Sequence, residues 1–208
     1  MTDSLRPASL SQPQSSLTTE RLLLRPLALS DAEIIQQLAG DREVADTTRL
    51  IPHPYPDGLA ETWISSLQPR YEKGEGVSFG ITLKDGPLIG SIGLLLNLVD
   101  HHAELGYWIG KAWWNQGICT EAAAAILGYA FETLELERVY AHYFARNPAS
   151  GRVMAKLGMK QEGILRRHRC KWGQYEDLIV CGILRGELQS LNKARARKRS
   201  KKAESRVS

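Results

Sequence analysis

The chain has 208 residues, of which 43% are hydrophobic and 24% are charged, a composition typical of a soluble globular domain. No apolar run approaches the roughly 20 residues that a membrane-spanning helix needs, which argues against an integral membrane protein. Residues 1–16 are polar and lack the apolar segment of a secretory signal. We therefore expect one domain over residues 17–188, preceded by a flexible leader (residues 1–16) and followed by a basic, disordered tail (residues 189–208).

The net charge of +4 comes from the end of the chain. Residues 191–208 hold eight of the 27 Lys and Arg residues and one of the 23 acidic residues, so the rest of the chain is slightly acidic. This segment has too few apolar residues to fold alone. It could contact a ribosome or RNA through its positive charge, or it could be only a solubilising end.

The three cysteines, Cys119, Cys170 and Cys181, are widely spaced and odd in number. This pattern indicates neither a disulfide framework nor a zinc site. We therefore expect reduced thiols, no metal and a cytoplasmic protein.

The sequence pattern predicts one sheet covered by helices. Residues 19–27 indicate a first strand, and Ser30 with Glu33 forms a capping box for a helix that reaches Ala39. The following elements are a proline-stiffened loop over residues 51–58, a helix over 59–73, a strand over 77–83, the turn Asp85-Gly86, and strands over 88–99 and 104–109.

The second half of the chain continues this mixed pattern. It predicts a helix from Thr120 to Thr133, a strand over 138–144, and a helix from Asn147 to Lys156 that ends at Gly158. A final hairpin is expected from strands 159–165 and 175–184. Residues 51–58 and 166–173 are interpreted as variable loops that recognise the substrate.

Residues 106–125 combine a strand, a glycine-containing loop and a helix. Tyr107, Trp108 and Ile109 are strand formers, Gly117 allows backbone angles that other residues avoid, and Thr120 is a good N-cap. The N–H groups of a loop that runs into a helix N-terminus bind anions, above all phosphate. The segment therefore indicates either a phosphate site or an ordinary strand-to-helix connection.

Several motifs occur in a fixed order along the chain. They are residues 19–26 (TERLLLRP), 90–94 (GSIGL), 104–109 (ELGYWI), 117–122 (GICTEA), Asn147 with Ser150, and 156–159 (KLGM). As an ordered set over residues 17–187 they resemble the GNAT family of acetyl-CoA-dependent N-acetyltransferases, in particular its branch of RimJ/RimL-type ribosomal-protein-alanine acetyltransferases. The resemblance implies an α/β fold with a mostly antiparallel central sheet flanked by helices.

The resemblance also implies acetyl-CoA as the co-substrate. Its pyrophosphate would lie on the backbone N–H groups of the glycine loop, and its pantetheine arm would lie between strands 104–109 and 138–144, which splay apart in this family. The implied acetyl-CoA-binding residues are Tyr107, Trp108, Ile109, Asn115, Gln116, Gly117, Ile118, Cys119, Thr120 and Asn147.

Three positions depart from the family pattern. Trp114 and Cys119 replace residues that are usual in the glycine loop, where backbone donors do the binding. Met154 stands where many members have a tyrosine that serves as general acid. Because a thioether cannot supply a proton, Ser150 is the better candidate for the proton donor, as in the branch that the chain resembles.

Glu104 is the first candidate for the general base, because it begins the strand beside which the thioester is expected. The alternative is that Glu104 is an exposed strand residue without a catalytic role. His168 is a rival base, since histidine titrates near neutral pH, whereas His142 is expected to pack or bond within its strand. Cys119, beside a helix N-terminus, could instead have a lowered pKa and form an acyl-cysteine.

The choice of acceptor depends on the cost of deprotonating an amine. An α-amino group has a pKa of about 7.7–8.0, against about 10.4 for lysine, so a modest base acting through water can serve the former. We therefore expect direct transfer of the acetyl group to a primary amine, most simply a protein N-terminus, in a ternary complex. The alternatives are a small-molecule amine such as an aminoglycoside or polyamine, or a non-catalytic acetyl-CoA-binding or ribosome-associated module. The sequence is compatible with either a monomer or a homodimer.

Overall fold

The computed structural model describes Pro7, Leu10 and residues 12–190. Within this part of the chain, no helix is long and apolar enough to cross a membrane. Residues 191–208, which form most of the predicted basic tail, lie outside the described residues. Their contact with a ribosome or RNA stays a prediction.

The strands are β1 (Leu17–Thr18), β2 (Leu22–Arg25), β3 (Gly76–Leu83), β4 (Leu88–Asn97), β5 (His102–Ile109), β6 (Arg138–Phe144), β7 (Lys160–Lys171) and β8 (Gln174–Leu184). The helices are α1 (Ala32–Ala39), α2 (Arg42–Thr47), α3 (Leu59–Glu72), α4 (Ile118–Gly128) and α5 (Pro148–Leu157). A π-helical turn, Tyr129–Thr133, continues α4, and residues 185–190 are also helical.

The eight strands form one sheet in the order β1-β2-β3-β4-β5-β6-β8-β7. Every neighbouring pair is antiparallel except β5 and β6, which are parallel. This arrangement confirms the predicted mostly antiparallel sheet. The single parallel pair lies in the middle of the sheet, and α4 connects its two strands.

Two apolar clusters attach the helices to the sheet. The larger one includes Phe79 of β3 and Ile126 of α4, both fully buried, together with Ile118 at the start of α4. The smaller one joins Ile35 of α1 to Leu88 of β4. Since burying a side chain of this size contributes about 1.5–3 kcal/mol, these contacts hold the N-terminus of α4 at a defined place beside β5.

The predicted capping box at Ser30 is wrong. Leu29–Asp31 forms a 3-10 turn, and α1 begins at Ala32 with Asp31 as its N-cap residue. The Asp31 carboxylate does not cap this helix; it accepts hydrogen bonds from the Arg25 guanidinium at 2.8 and 2.7 Å and from the Ala28 N–H at 2.8 Å. An ion pair with β2 therefore determines where the chain turns into α1.

The Arg25–Asp31 ion pair is expected to stabilise the folded protein. Burial alone would raise the pKa of Asp31, but the hydrogen bond from Arg25 and that from Ala28 outweigh it and lower the pKa. We expect Asp31→Asn to lower the free energy of unfolding in urea by about 1–3 kcal/mol at pH 7, because it leaves a partly buried guanidinium without its counterion.

A group whose folded-state pKa is depressed stabilises the protein above its unfolded-state pKa, about 3.9 for aspartate, and this contribution is lost as the pH falls through the folded-state value. The difference between the wild type and Asp31→Asn should therefore shrink in acid. The exposed Glu33 serves as the control through Glu33→Gln, and equal unfolding curves for both variants would contradict the role of Asp31.

Two further differences from the predicted elements concern helix α2 and the end of strand β7. Helix α2 was not predicted; it is capped by the Asp41 carboxylate, which accepts from the Glu43 N–H at 2.7 Å. The expected loop over residues 166–173 is mostly strand, since β7 continues to Lys171 with an irregular register between Leu165 and Arg169. Lys171 Nζ donates to the Ile51 carbonyl at 2.7 Å, so the end of this hairpin holds the loop over residues 51–58.

The described positions of the leader contact the domain. Leu10 is 2% exposed and belongs to the larger core cluster. The Gln14 amide donates to the Ser78 carbonyl at 2.8 Å, and the Tyr71 hydroxyl donates to the Gln12 carbonyl at 3.1 Å. Residues 1–6, 8, 9 and 11 of the predicted flexible leader lie outside the described part of the chain.

Candidate active site

The parallel strands β5 and β6 separate in the middle of the sheet. They pair over three residues, the last of which are Glu104 and Tyr140, and then run on to Ile109 and Phe144 without pairing to each other. Each strand keeps its other neighbour, so only the facing edges are open. The predicted splay is confirmed. Unpaired backbone groups along such a gap can bind an extended ligand as a strand would.

The glycine loop lies at one end of this gap. Gly117 has a φ of 76° and is the N-cap residue of α4, which begins at Ile118. Asn115 also has a positive φ, of 61°. The predicted N-cap at Thr120 is wrong, because the left-handed conformation of Gly117 turns the chain into the helix three residues earlier. The N–H groups of this first turn have no partner within the helix, which is the arrangement that can bind an anion.

An acidic residue in the first turn of α4 is paired with residues that lie just before β2. Glu121 accepts hydrogen bonds from the Thr19 hydroxyl at 2.6 Å and from Arg21 Nε at 2.6 Å. Burial alone would raise the pKa of Glu121, but these bonds and that of the Arg21 N–H lower it. The Arg21 guanidinium also donates to the Gln116 carbonyl at 3.1 Å. The sequence did not indicate this cation at the loop, because Arg21 is distant from Gln116 along the chain and reaches it only in the fold.

A single cleft of about 620 Å³ follows the gap from the glycine loop to the start of α5. Most of the predicted site residues line it, namely Glu104, Tyr107, Trp108, Ile109, Asn115, Gly117, Ile118, Cys119, Thr120, Asn147 and Ser150. Gln116 does not line it, because its side-chain amide turns back to donate to the Ala112 carbonyl at 2.9 Å. The fold therefore brings these residues from three separate segments of the chain to one cavity.

Glu104 lies in the cleft between two basic side chains. Arg49, from the segment after α2, forms an ion pair with its Oε1. His142 of β6 places its Nδ1 3.2 Å from the same oxygen. Burial alone would raise the pKa of Glu104, but the hydrogen bond with His142 and the charge of Arg49 outweigh it and lower the pKa. Glu104 is therefore a carboxylate at neutral pH.

Of the two histidines considered as site residues, His142 and His168, only His142 lies in the cleft. His142 was expected to bond within its own strand, but it faces the cleft and Glu104. His168, the rival base, is an exposed residue of β7 and does not line the cleft. The pairing of β6 with β5, which places His142 beside Glu104, could not be read from the spacing of these residues.

Ser150 and Tyr107 meet across the gap. The Tyr107 hydroxyl lies 2.7 Å from Ser150 Oγ. Asn147 is the N-cap residue of α5, and its side chain accepts from the Ser150 N–H at 3.3 Å. Met154, one turn further along α5, is buried and also lines the cleft.

Cys119 does not have the environment of a nucleophile. Burial raises the pKa of its thiol to about 12, so the helix N-terminus does not produce a thiolate at neutral pH. The expectation of a lowered pKa is wrong, and an acyl-cysteine route loses its support. Among the described residues there is also no group of His, Cys, Asp and Glu that could hold a metal ion.

Comparison of the sequence with known families agrees with these features, which are the open gap between β5 and β6 and the free N–H groups at the start of α4. Residues 21–160 match the acetyltransferase (GNAT) domain. The chain belongs to the GNAT acetyltransferase family. It is therefore an acetyl-CoA-dependent N-acetyltransferase, as the resemblance implied.

This GNAT enzyme has relatives of several kinds. It is 32% identical to an uncharacterized N-acetyltransferase, YoaA, of Bacillus subtilis strain 168, over 81% of this chain and 96% of the relative. It is 28% identical to the ribosomal protein uS5-alanine N-acetyltransferase of Escherichia coli K12, over 82% and 91% of the two chains. It shares its fold with spermidine N-acetyltransferase from Vibrio cholerae in complex with CoA and spermine, at a TM-score of 0.72 and 22% identity, over 82% of this chain and 99% of that one.

The residues of this GNAT enzyme fit a polyanionic co-substrate. The backbone donors after Gly117 and the nearby Arg21 suit a pyrophosphate. Arg152 and Lys156 of α5 also line the cleft and add positive charge. The open edges of β5 and β6 offer amide groups to an extended arm.

Proposed function

We propose that this GNAT enzyme transfers the acetyl group of acetyl-CoA to a protein N-terminal α-amino group, by direct attack of the amine in a ternary complex. The observation that carries this proposal is the state of Glu104. Its carboxylate has a lowered pKa and is already bonded to Arg49 and His142. Such a group is a weak base, and it suits the amine that loses its proton most easily.

The roles of the two proposed catalytic residues follow from their places in the cleft. Glu104, at the point where β5 and β6 separate, accepts the proton of the attacking amine through water. Ser150, at the start of α5, gives a proton to the sulfur that leaves. The acid contribution can be modest, because a thiol of pKa about 8.5 is already a reasonable leaving group.

The charge of the cleft supports an acceptor that is not a polycation. Among the described residues that line it, Glu104 is the only carboxylate, whereas Arg49, Arg70, Arg152 and Lys156 carry positive charge. A polyamine or an aminoglycoside brings several positive charges and is stabilised by clusters of acids. A peptide N-terminus brings one positive charge, and its neighbouring carbonyl groups can accept hydrogen bonds from arginine.

The relatives support both the proposal and its alternative. The name of the Escherichia coli relative describes an enzyme that acetylates an alanine of a ribosomal protein. The Vibrio cholerae structure is that of a spermidine acetyltransferase. The fold accommodates different acceptors, so the choice between them depends on the side chains of this cleft.

The proposal predicts a preference between two peptides. At pH 7.5, kcat/KM for a short peptide with a free N-terminal alanine and no lysine should exceed that for an N-blocked lysine peptide by at least tenfold. The reason is that about a third of the α-amine is neutral at this pH, against about one thousandth of the lysine amine. Acetyl-CoA consumption and mass spectrometry of the product measure both rates.

Spermidine and an aminoglycoside serve as the competing acceptors in the same assay. Faster transfer to either of them would favour the small-molecule alternative. Tight binding of acetyl-CoA without transfer to any amine would favour a binding module.

A further inference from the structure

The Tyr107 side chain bridges the open gap between β5 and α5. It belongs to β5, three residues beyond the last pair with β6, and its ring crosses the gap to reach the first turn of α5. Its hydroxyl lies 2.7 Å from Ser150 Oγ and 3.5 Å from the Ser150 carbonyl. The tyrosine thus connects the two walls of the cleft where backbone pairing has stopped.

The contact is unusual for a serine in this position. A serine in the first turn of a helix commonly bonds to the local backbone. Within residues 12–190, the hydrogen bond that Ser150 Oγ makes is to Tyr107, while the backbone N–H of Ser150 is held by Asn147. The rotamer of Ser150 is therefore determined by a residue 43 positions away in the sequence.

Either hydroxyl could be the donor in this hydrogen bond, and acidity favours Tyr107. A phenol is a stronger acid than an aliphatic alcohol and is the better donor. Burial, together with the neighbouring Cys119, raises the pKa of Tyr107 and outweighs the bond to Ser150, so the phenol keeps its proton. Tyr107 then donates to Ser150 Oγ, and the hydroxyl hydrogen of Ser150 is free to point into the cleft.

We propose that Tyr107 is a positioning residue that holds the Ser150 hydroxyl with its proton directed at the leaving sulfur. This inference rests on the proposed function of Ser150. In the step that it serves, the bond from the amine nitrogen to the carbonyl carbon forms and the carbon–sulfur bond breaks, with its electron pair going to sulfur. The sulfur takes the proton of Ser150 Oγ. The substrate ammonium loses two protons in all: the first passes through water to Glu104 before the attack, and the second, released as the amide forms, passes through water to Ser150.

Removal of the phenol hydroxyl tests this inference. Tyr107→Phe should lower kcat about fivefold and Ser150→Ala about tenfold, with KM for acetyl-CoA and for the peptide within twofold of the wild type. The double variant should match Ser150→Ala, because Tyr107 acts only through Ser150. Additive losses in the double variant would contradict the inference.

A second measurement separates this role from a purely structural one. Two small acetyl thioesters, one of an alkyl thiol and one of an acidic aryl thiol, serve as donors with the same peptide. The aryl thiolate leaves without a proton, so both single variants should approach the wild-type rate with it and remain slow with the alkyl donor. Equal defects with both donors would show that the tyrosine only supports the fold.

The control is Tyr129→Phe. Tyr129 packs against the same core and its hydroxyl bonds to Tyr71, outside the cleft. It should leave kcat unchanged with either donor. Failure of the wild type to acetylate any amine would instead contradict the proposed function, whereas an active wild type with an equally active Tyr107→Phe would overturn this inference alone.

Discussion

Glu104→Gln should lower kcat about a hundredfold while it leaves the affinity for acetyl-CoA within twofold of the wild type. A general base contributes roughly 10²–10⁴-fold to a rate, and a base acts on the amine and not on the co-substrate. Glutamine keeps the shape of the side chain and an oxygen that can accept from Arg49. Steady-state kinetics with a peptide acceptor and calorimetry with acetyl-CoA measure the two quantities.

The pH dependence makes this test sharper. Because the pKa of Glu104 is lowered, the wild-type carboxylate is ionised throughout the neutral range. The rise of the rate with pH therefore follows the amine, whose pKa is about 7.7–8.0. In Glu104→Gln part of the activity should return at high pH, where free amine is plentiful.

Glu162→Gln is the matched control. Glu162 also pairs with an arginine, Arg138, but lies outside the cleft. It should leave kcat and its pH profile unchanged. A pH–rate profile of Glu104→Gln identical to that of the wild type would remove Glu104 as the base.

Gly117→Asp should weaken CoA binding about a hundredfold. Gly117 has a φ of 76°, a conformation that costs other residues about 1–2 kcal/mol. The added carboxylate would also stand where the anion site is expected and close to Arg21, since a Cβ at this position would lie 3.6 Å from the Arg21 guanidinium. The carboxylate would repel a pyrophosphate, and it would also pair with the Arg21 guanidinium that otherwise attracts the pyrophosphate.

Two variants separate charge from backbone strain. Gly117→Ala introduces the strain without the charge and should weaken binding only severalfold. Gly173→Asp places the same residue at a φ of 83° in the β7–β8 turn, where no atom lies within 4 Å of a Cβ, and should leave CoA binding unchanged. Unchanged binding by a folded Gly117→Asp would show that the pyrophosphate lies elsewhere.

The candidate site was predictable where its function depends on the backbone. The loop before α4 needs a residue with positive φ followed by a helix, and Gly117 with the alanine-rich segment after it supplies both. Such requirements are local, because they concern a few consecutive residues. Glu104 was also correctly predicted to lie in a central strand, since the strand pattern of residues 104–109 is continuous, but β5 begins two residues earlier, at His102.

The partners of these residues were not predictable. Arg49 and His142 come from segments 55 positions before and 38 positions after Glu104, and neither segment carries a local sign of this contact. The same holds for Tyr107 and Ser150. Side chains from distant segments meet only where the register of β5 against β6 puts them, and that register depends on the packing of the whole sheet.

By itself, the sequence determined the order of the main elements, the strand over 138–144, the C-terminal end of α5 at Gly158 and the resemblance to GNAT enzymes. These follow from hydrophobic periodicity, from glycine and proline chemistry and from motifs at fixed spacing. Only the tertiary structure decided the start of α1 at the Arg25–Asp31 ion pair, the continuation of β7 to Lys171, the raised pKa of Cys119 and the basic surroundings of Glu104. Each of these depends on burial or on a charged partner far along the chain, and neither can be read from neighbouring residues.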